Sequence, residues 1–107
     1  MKNIEMIQKL SVLQCIYQMI ASSDGNVVGS RDDRAIDLAL KELELTTNFS
    51  WNMAIKIDPH EAFRQVSKIS QVDKVKFKNL LLRIAEMGGN TIFRKNCATQ
   101  IFQLTRC

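Results

Sequence analysis

Ile20-Ala21-Ser22-Ser23-Asp24-Gly25-Asn26 returns in altered form as Ile84-Ala85-Glu86-Met87-Gly88-Gly89-Asn90, with Ile, Ala, Gly and Asn kept in register. Upstream of the two segments, Leu13, Ile16, Tyr17 and Ile20 line up with Phe77, Leu80, Leu81 and Ile84. Steps of three and four residues put each set on one face of a helix. Each copy reads as an amphipathic helix that runs into a Gly-Asn turn and is followed by a second helix. The fold expected from this is all-α, with about six helices and two pseudo-repeated helical hairpins.

Around the first copy, the helix is expected over 4–22. Met6, Leu10, Leu13, Tyr17, Ile20 and Ala21 mark one face, while Val12, Ile16 and Met19 add apolar surface beside it. A helix apolar on more than one face belongs in the middle of a bundle. Ser30 then suits an N-cap, with Asp32 and Asp33 near the positive end of the second helix dipole. Ile36, Ala39, Leu40 and Leu43 form the buried stripe of that helix. A short helix follows near 50–57, with Trp51, Ala54 and Ile55 inward.

Asp58-Pro59-His60-Glu61 is the clearest helix start in the chain: an N-cap, a proline at the first helical position and a box-like acid. Ser70-Gln71-Val72-Asp73 is a second such start and opens the repeated helix over 72–87. The last helix follows Asn90, with Phe93, Cys97, Ala98, Ile101 and Leu104 read as inward. No segment alternates strictly enough for a strand, and three of the four glycines fall in the two repeated turns.

At 107 residues the chain is expected to form one domain, 1–107, with a single core. Apolar residues at 46% and charged ones at 24% fit a globular protein and exclude a disordered chain. Met1-Lys2-Asn3-Ile4-Glu5 lacks the pattern of a signal peptide, and no apolar run is long enough to span a membrane, so a cytoplasmic protein is expected. Cys15, Cys97 and Cys107 are an odd set without CxxC spacing and read as reduced packing thiols. Cys107 at the chain end leaves room for a homodimer.

Charge is unevenly spread. Residues 1–63 carry six Lys/Arg against nine Asp/Glu, whereas residues 64–107 carry nine against two, so a net −3 faces a net +7. The basic half points to an anionic partner, either an acidic protein or an anionic membrane surface. The same charge also serves a merely solvated face. Lys74, Lys76, Lys78, Arg83, Arg94 and Lys95 are the candidate interaction surface. A nucleic-acid partner is disfavoured, because the aromatics fall at inward positions, Phe49 and Phe102 being the ones left open.

Catalytic constellations are missing. The single histidine, His60, sits just after a helix cap and has no nucleophile in view, and no phosphate-binding glycine loop is present. No enzyme is expected. Asp24, with Asp32 and Asp33, is the candidate divalent-metal site. As an EF-hand loop it fails, since Val28 occupies a ligand position and Ala35 stands where the bidentate Glu belongs.

Ala-x-x-Asp-Gly-x-Val at 21–27, the acid-led second helix, Trp51, Asp-Pro-x-Glu-x-Phe at 58–63 and the second Ile-Ala turn together resemble the TerB-like (tellurite-resistance protein B-like) helical family, across nearly the whole chain. The resemblance implies a helical bundle in which two Asp-Gly turns and the acids after them face each other around a divalent metal. It also implies a bacterial, stress-related, non-enzymatic role. This chain departs from the pattern. Arg31 stands where the first acid is expected, so Asp32 or Asp33 would supply it; Gly88 replaces the second Asp, and Arg94-Lys95 replace its acid. The expected function is therefore an interaction or regulatory module with a degenerate metal site and no resident cofactor. The alternatives are a metal-binding stress-response protein, using a divalent metal at Asp24, Asp32 and Asp33, and a weak nucleic-acid binder.

Overall fold

The computed structural model describes residues 1, 4–23, 33–45, 48–87 and 90–107, with backbone only for Ser23, Asp33, Asn48 and Phe49. Among the described residues there are six helices and no strand: α1 (Met6–Ser23), α2 (Asp33–Glu42), α3 (Asn48–Ala54), α4 (Pro59–Ser67), α5 (Gln71–Ala85) and α6 (Thr91–Leu104).

The expected caps form. Asp58 accepts from the Glu61 amide at 3.1 Å, and Pro59 opens α4. Glu61 does not close a reciprocal box, because Arg64 and Gln65 take its carboxylate. Ser70 caps α5 by accepting from the Asp73 amide at 3.2 Å. Each cap satisfies a donor that the helix start would otherwise leave open.

α1 is the hub. It packs against α4 most broadly, then against α6 and α3, and also touches α5. Val12, Leu13, Cys15, Ile16 and Met19 are all fully buried, as the two apolar stripes of that helix require. Gln14 is buried among them. Its amide donates to the Ala54 and Ile57 carbonyls at 2.8 and 2.7 Å, closing the end of α3. Nothing in the apolar pattern announced that bond.

The repeat extends to the second helices. Both α2 and α6 end with a non-glycine residue in the left-handed region, Glu44 at φ 57° and Arg106 at φ 58°. In each, the next amide bonds back to a carbonyl five residues earlier, Leu45 to Leu40 and Cys107 to Phe102, both at 2.8 Å. This is the Schellman geometry, which satisfies the last carbonyls of a helix. Aligning these ends pairs Ile36, Ala39 and Leu43 with Ala98, Ile101 and Thr105, and all six are buried. The same alignment sets Asp32 and Asp33 against Arg94 and Lys95 in the sequence.

Three expectations change. Phe93 and Leu104, expected inward from the spacing, are 66% and 55% exposed. α6 carries apolar residues on two arcs, and the arc through Ala98 is used because its small side chain allows close approach. Arg94 falls on that arc and is buried. Met6 and Ile55 also face outward, at 55% and 36% exposed.

Candidate interaction surface of the C-terminal hairpin

α5 and α6 form an antiparallel pair whose two ends are each closed by a cation of the partner helix. Arg94 Nη1 donates to the Ile84 carbonyl in the last turn of α5 at 3.2 Å, and Lys74 Nζ donates to the Arg106 carbonyl just past α6 at 3.3 Å. A positive group beside orphan carbonyls at a helix C-terminus is favoured by the helix dipole. Arg94, 3% exposed, is thus a structural residue and is removed from the interaction surface expected above.

Between those ends lies a seam. Lys78 Nζ sits 5.5 Å from the centre of the Phe102 ring, and Phe102 meets Phe77 edge-to-face at 6.0 Å. Lys95 Nζ pairs with Glu86 at 3.2 Å. On α5 the groups that reach across are Lys74, Lys78 and Glu86, and four-residue steps place Leu82 in the same row. The facing row on α6 is Arg106, Phe102, Thr99 and Lys95. Leu82 is 37% exposed, with Val75 (49%) and Ile92 (75%) on its shoulders. An open depression of about 290 Å³ lies at the Ile92 end, lined by Asn90, Thr91, Ile92 and Phe93.

The expected surface is therefore divided. Lys74, Lys78 and Lys95 share the seam. Arg83 turns to the other flank and pairs with Glu42 of α2 at 3.3 Å, while Lys76 is exposed away from α6 by its position on the helix. Phe93 lies on the opposite flank of α6, in the row of Cys97, whose Sγ approaches the Gln18 carbonyl of α1 at 3.9 Å. Leu82, Val75 and Ile92 were missed in the sequence reading. Their signal was present as apolar residues spaced among lysines, but periodicity ranked them below the stronger inner stripe.

Asp24, Asp32 and the side chain of Asp33 lie outside the described residues. Among the described residues, no three His, Cys, Asp or Glu side chains cluster as metal ligands. Among the described residues, Arg34 in the first turn of α2 donates to the Met87 carbonyl just past α5 at 3.0 Å. His60 is exposed at the start of α4, its ring edge-on to Phe63. The cysteines are free thiols. Burial pushes the Cys15 thiol up strongly, helped by Cys107 and Cys97, and burial raises Cys97 against a Ser22 hydrogen bond that lowers it. Such thiols are poor nucleophiles. No described helix is long and apolar enough to cross a membrane.

The fold and surface define an all-α bundle with a basic C-terminal hairpin. No family model, no curated protein and no solved structure matches this chain.

Proposed function

We propose that the protein is a non-enzymatic interaction or regulatory module of the TerB-like type, with a degenerate metal site and its binding surface on the α5–α6 hairpin. The observation that supports this best is the seam itself, where Lys74, Lys78 and Lys95 surround the exposed Leu82. Charge of one sign around apolar side chains is how an interface obtains both steering and a water-excluded centre. The burial of Arg94 at the second corner supports the degenerate site, because a guanidinium stands where the TerB-like pattern has an acid. A role in stress response rests on the resemblance described above.

The test is photo-crosslinking in cells, with a photoreactive residue at position 82 and, as a reference, at Met53, an exposed apolar position on α3. Discrete protein adducts from position 82 and none from position 53 are expected. Equal labelling, or none from either, overturns the reading. Isothermal titration with Ca²⁺, Mg²⁺ and Zn²⁺ is expected to show no site tighter than millimolar; a stoichiometric micromolar site would restore the metal-binding alternative.

A further inference from the structure

We infer that the seam between α5 and α6 is a docking groove for an acidic amphipathic helix of another protein. The inference rests on the proposed interaction role and names the partner's chemistry.

The seam is long enough for a docked helix. From Lys74 to Glu86 the α5 row covers twelve residues, about 18 Å of rise, which matches three to four turns of a partner. Its centre is apolar. Leu82 lies in the trough, with Val75 and Ile92 on its shoulders and the half-buried Phe102 below Lys78. These positions suit apolar side chains at i, i+3 or i+4, and i+7 of a docked helix.

The rim sets the sign of the partner. Lys74, Lys78, Lys95 and Arg106 border the groove, and residues 71–107 hold seven Lys/Arg against Asp73 and Glu86, a net +5. Residues 1–70 hold eight against nine, a net −1, so the positive field belongs to the hairpin. Carboxylates flanking the apolar stripe of a partner helix would meet these cations at the rim, where they guide approach and fix register.

The shape argues against the other anionic surfaces. Leu82 lies between the rows of α5 and α6, where a convex helix reaches it more fully than a flat bilayer does. Single-stranded nucleic acid uses exposed ring faces for stacking, whereas the seam's aromatic ring lies at its floor with Lys78 over it.

The test uses the full chain and a labelled synthetic helix of about 14 residues, Leu at i, i+3/i+4, i+7 and i+11 with Glu between, read by fluorescence anisotropy at about 50 mM salt. Saturable binding is expected, with amide shifts at Val75, Lys78, Leu82 and Lys95. Leu82→Glu and Lys78→Glu should each weaken it about tenfold or more, whereas Met53→Glu should leave it unchanged. Circular dichroism checks each variant; if Leu82→Glu does not fold, Val75→Glu takes its place. Failure of the Glu peptide to bind, equal binding by a Lys-for-Glu peptide, or indifference to the seam variants overturns the inference. Binding to phosphatidylserine vesicles or an oligothymidylate in place of the peptide overturns it in favour of that surface. Crosslinking from position 82 with no peptide binding sinks the acidic helix alone, whereas absence of crosslinking sinks the interaction role beneath it.

Discussion

α1 and α5 carry the same inner stripe, yet Val12, Cys15 and Met19 are fully buried where their counterparts Lys76, Asn79 and Arg83 face water. The inner faces answer to each other residue by residue: Leu13, Ile16 and Ile20 in one, Phe77, Leu80 and Ile84 in the other, all buried. What separates the copies is the number of neighbours. α1 has α3, α4 and α6 around it, while α5 has α6 beside it, a small contact with α1, and Arg34 and Glu42 of α2 reaching it through side chains. The outer residues of each copy match that difference. Gln14 faces a helix end and is spent on two carbonyls; its counterpart Lys78 faces solvent over an aromatic ring. A duplicated helix thus keeps the residues that face the core, and the others follow whatever lies outside.

Exchanging counterparts gives the sharpest way to break this comparison. Met19→Arg places a long cation at a fully buried position and is expected to cost more than about 4 kcal/mol, enough to unfold the chain. Arg83→Met removes an exposed ion pair with Glu42 and is expected to change stability by less than about 1 kcal/mol. Urea denaturation followed by circular dichroism measures both. Comparable costs for the two exchanges would mean that α1 is not the covered copy.

A second, smaller effect sharpens the contrast at the polar positions. Gln14→Leu keeps the volume but strands the Ala54 and Ile57 carbonyls, at an expected cost of about 2 kcal/mol. Lys78→Leu should stay within about 0.5 kcal/mol. Next comes the pair that stands opposite Asp32 and Asp33 in the repeat. Arg94→Met withdraws a buried donor from the Ile84 carbonyl and should cost about 1–3 kcal/mol, visible as a lower midpoint and faster amide exchange at the end of α5. Lys95→Met loses only an exposed pair with Glu86 and should be near neutral in the same measurements.

The smallest effect is expected on α4, the helix that covers α1 most broadly. Arg64 and Gln65 hydrogen bonds hold the Glu61 carboxyl down to about 2, below its ordinary 4.5. A depressed folded-state value contributes stability above the unfolded value and loses it as pH falls, so this contribution fades from about pH 4.5 towards 2. Glu61 is exposed to solvent screening, so the change is slight. Urea midpoints of the wild type and Glu61→Gln should converge on acidification; a gap that persists at pH 2 would show that the carboxylate charge is not its source.

Much of the fold was legible before any coordinates. Asp58 and Ser70 announce their helices because a capping side chain acts on amides two or three residues away. The inner stripes of α1, α2 and α5 are legible because a helix repeats every 3.6 residues and one side must leave water. The candidate surface was half legible. Lys74, Lys78 and Lys95 could be named as basic, but their grouping on one seam depends on which flank of α5 receives α6. Arg94 looked like a surface cation and lies inside, where the end of α5 supplies a carbonyl that no local pattern reveals.

By itself, then, the sequence determined the helical class, the repeat, the caps and the charge imbalance, all of which arise from interactions within a few residues or from composition. Only the tertiary structure decided that both stripes of α1 are covered, that α6 turns Ala98 inward and leaves Phe93 out, and that Leu82 lines an open seam. Helical periodicity groups residues by face. How many neighbours a face receives is settled by packing between distant segments, where volume and closest approach outweigh local preference.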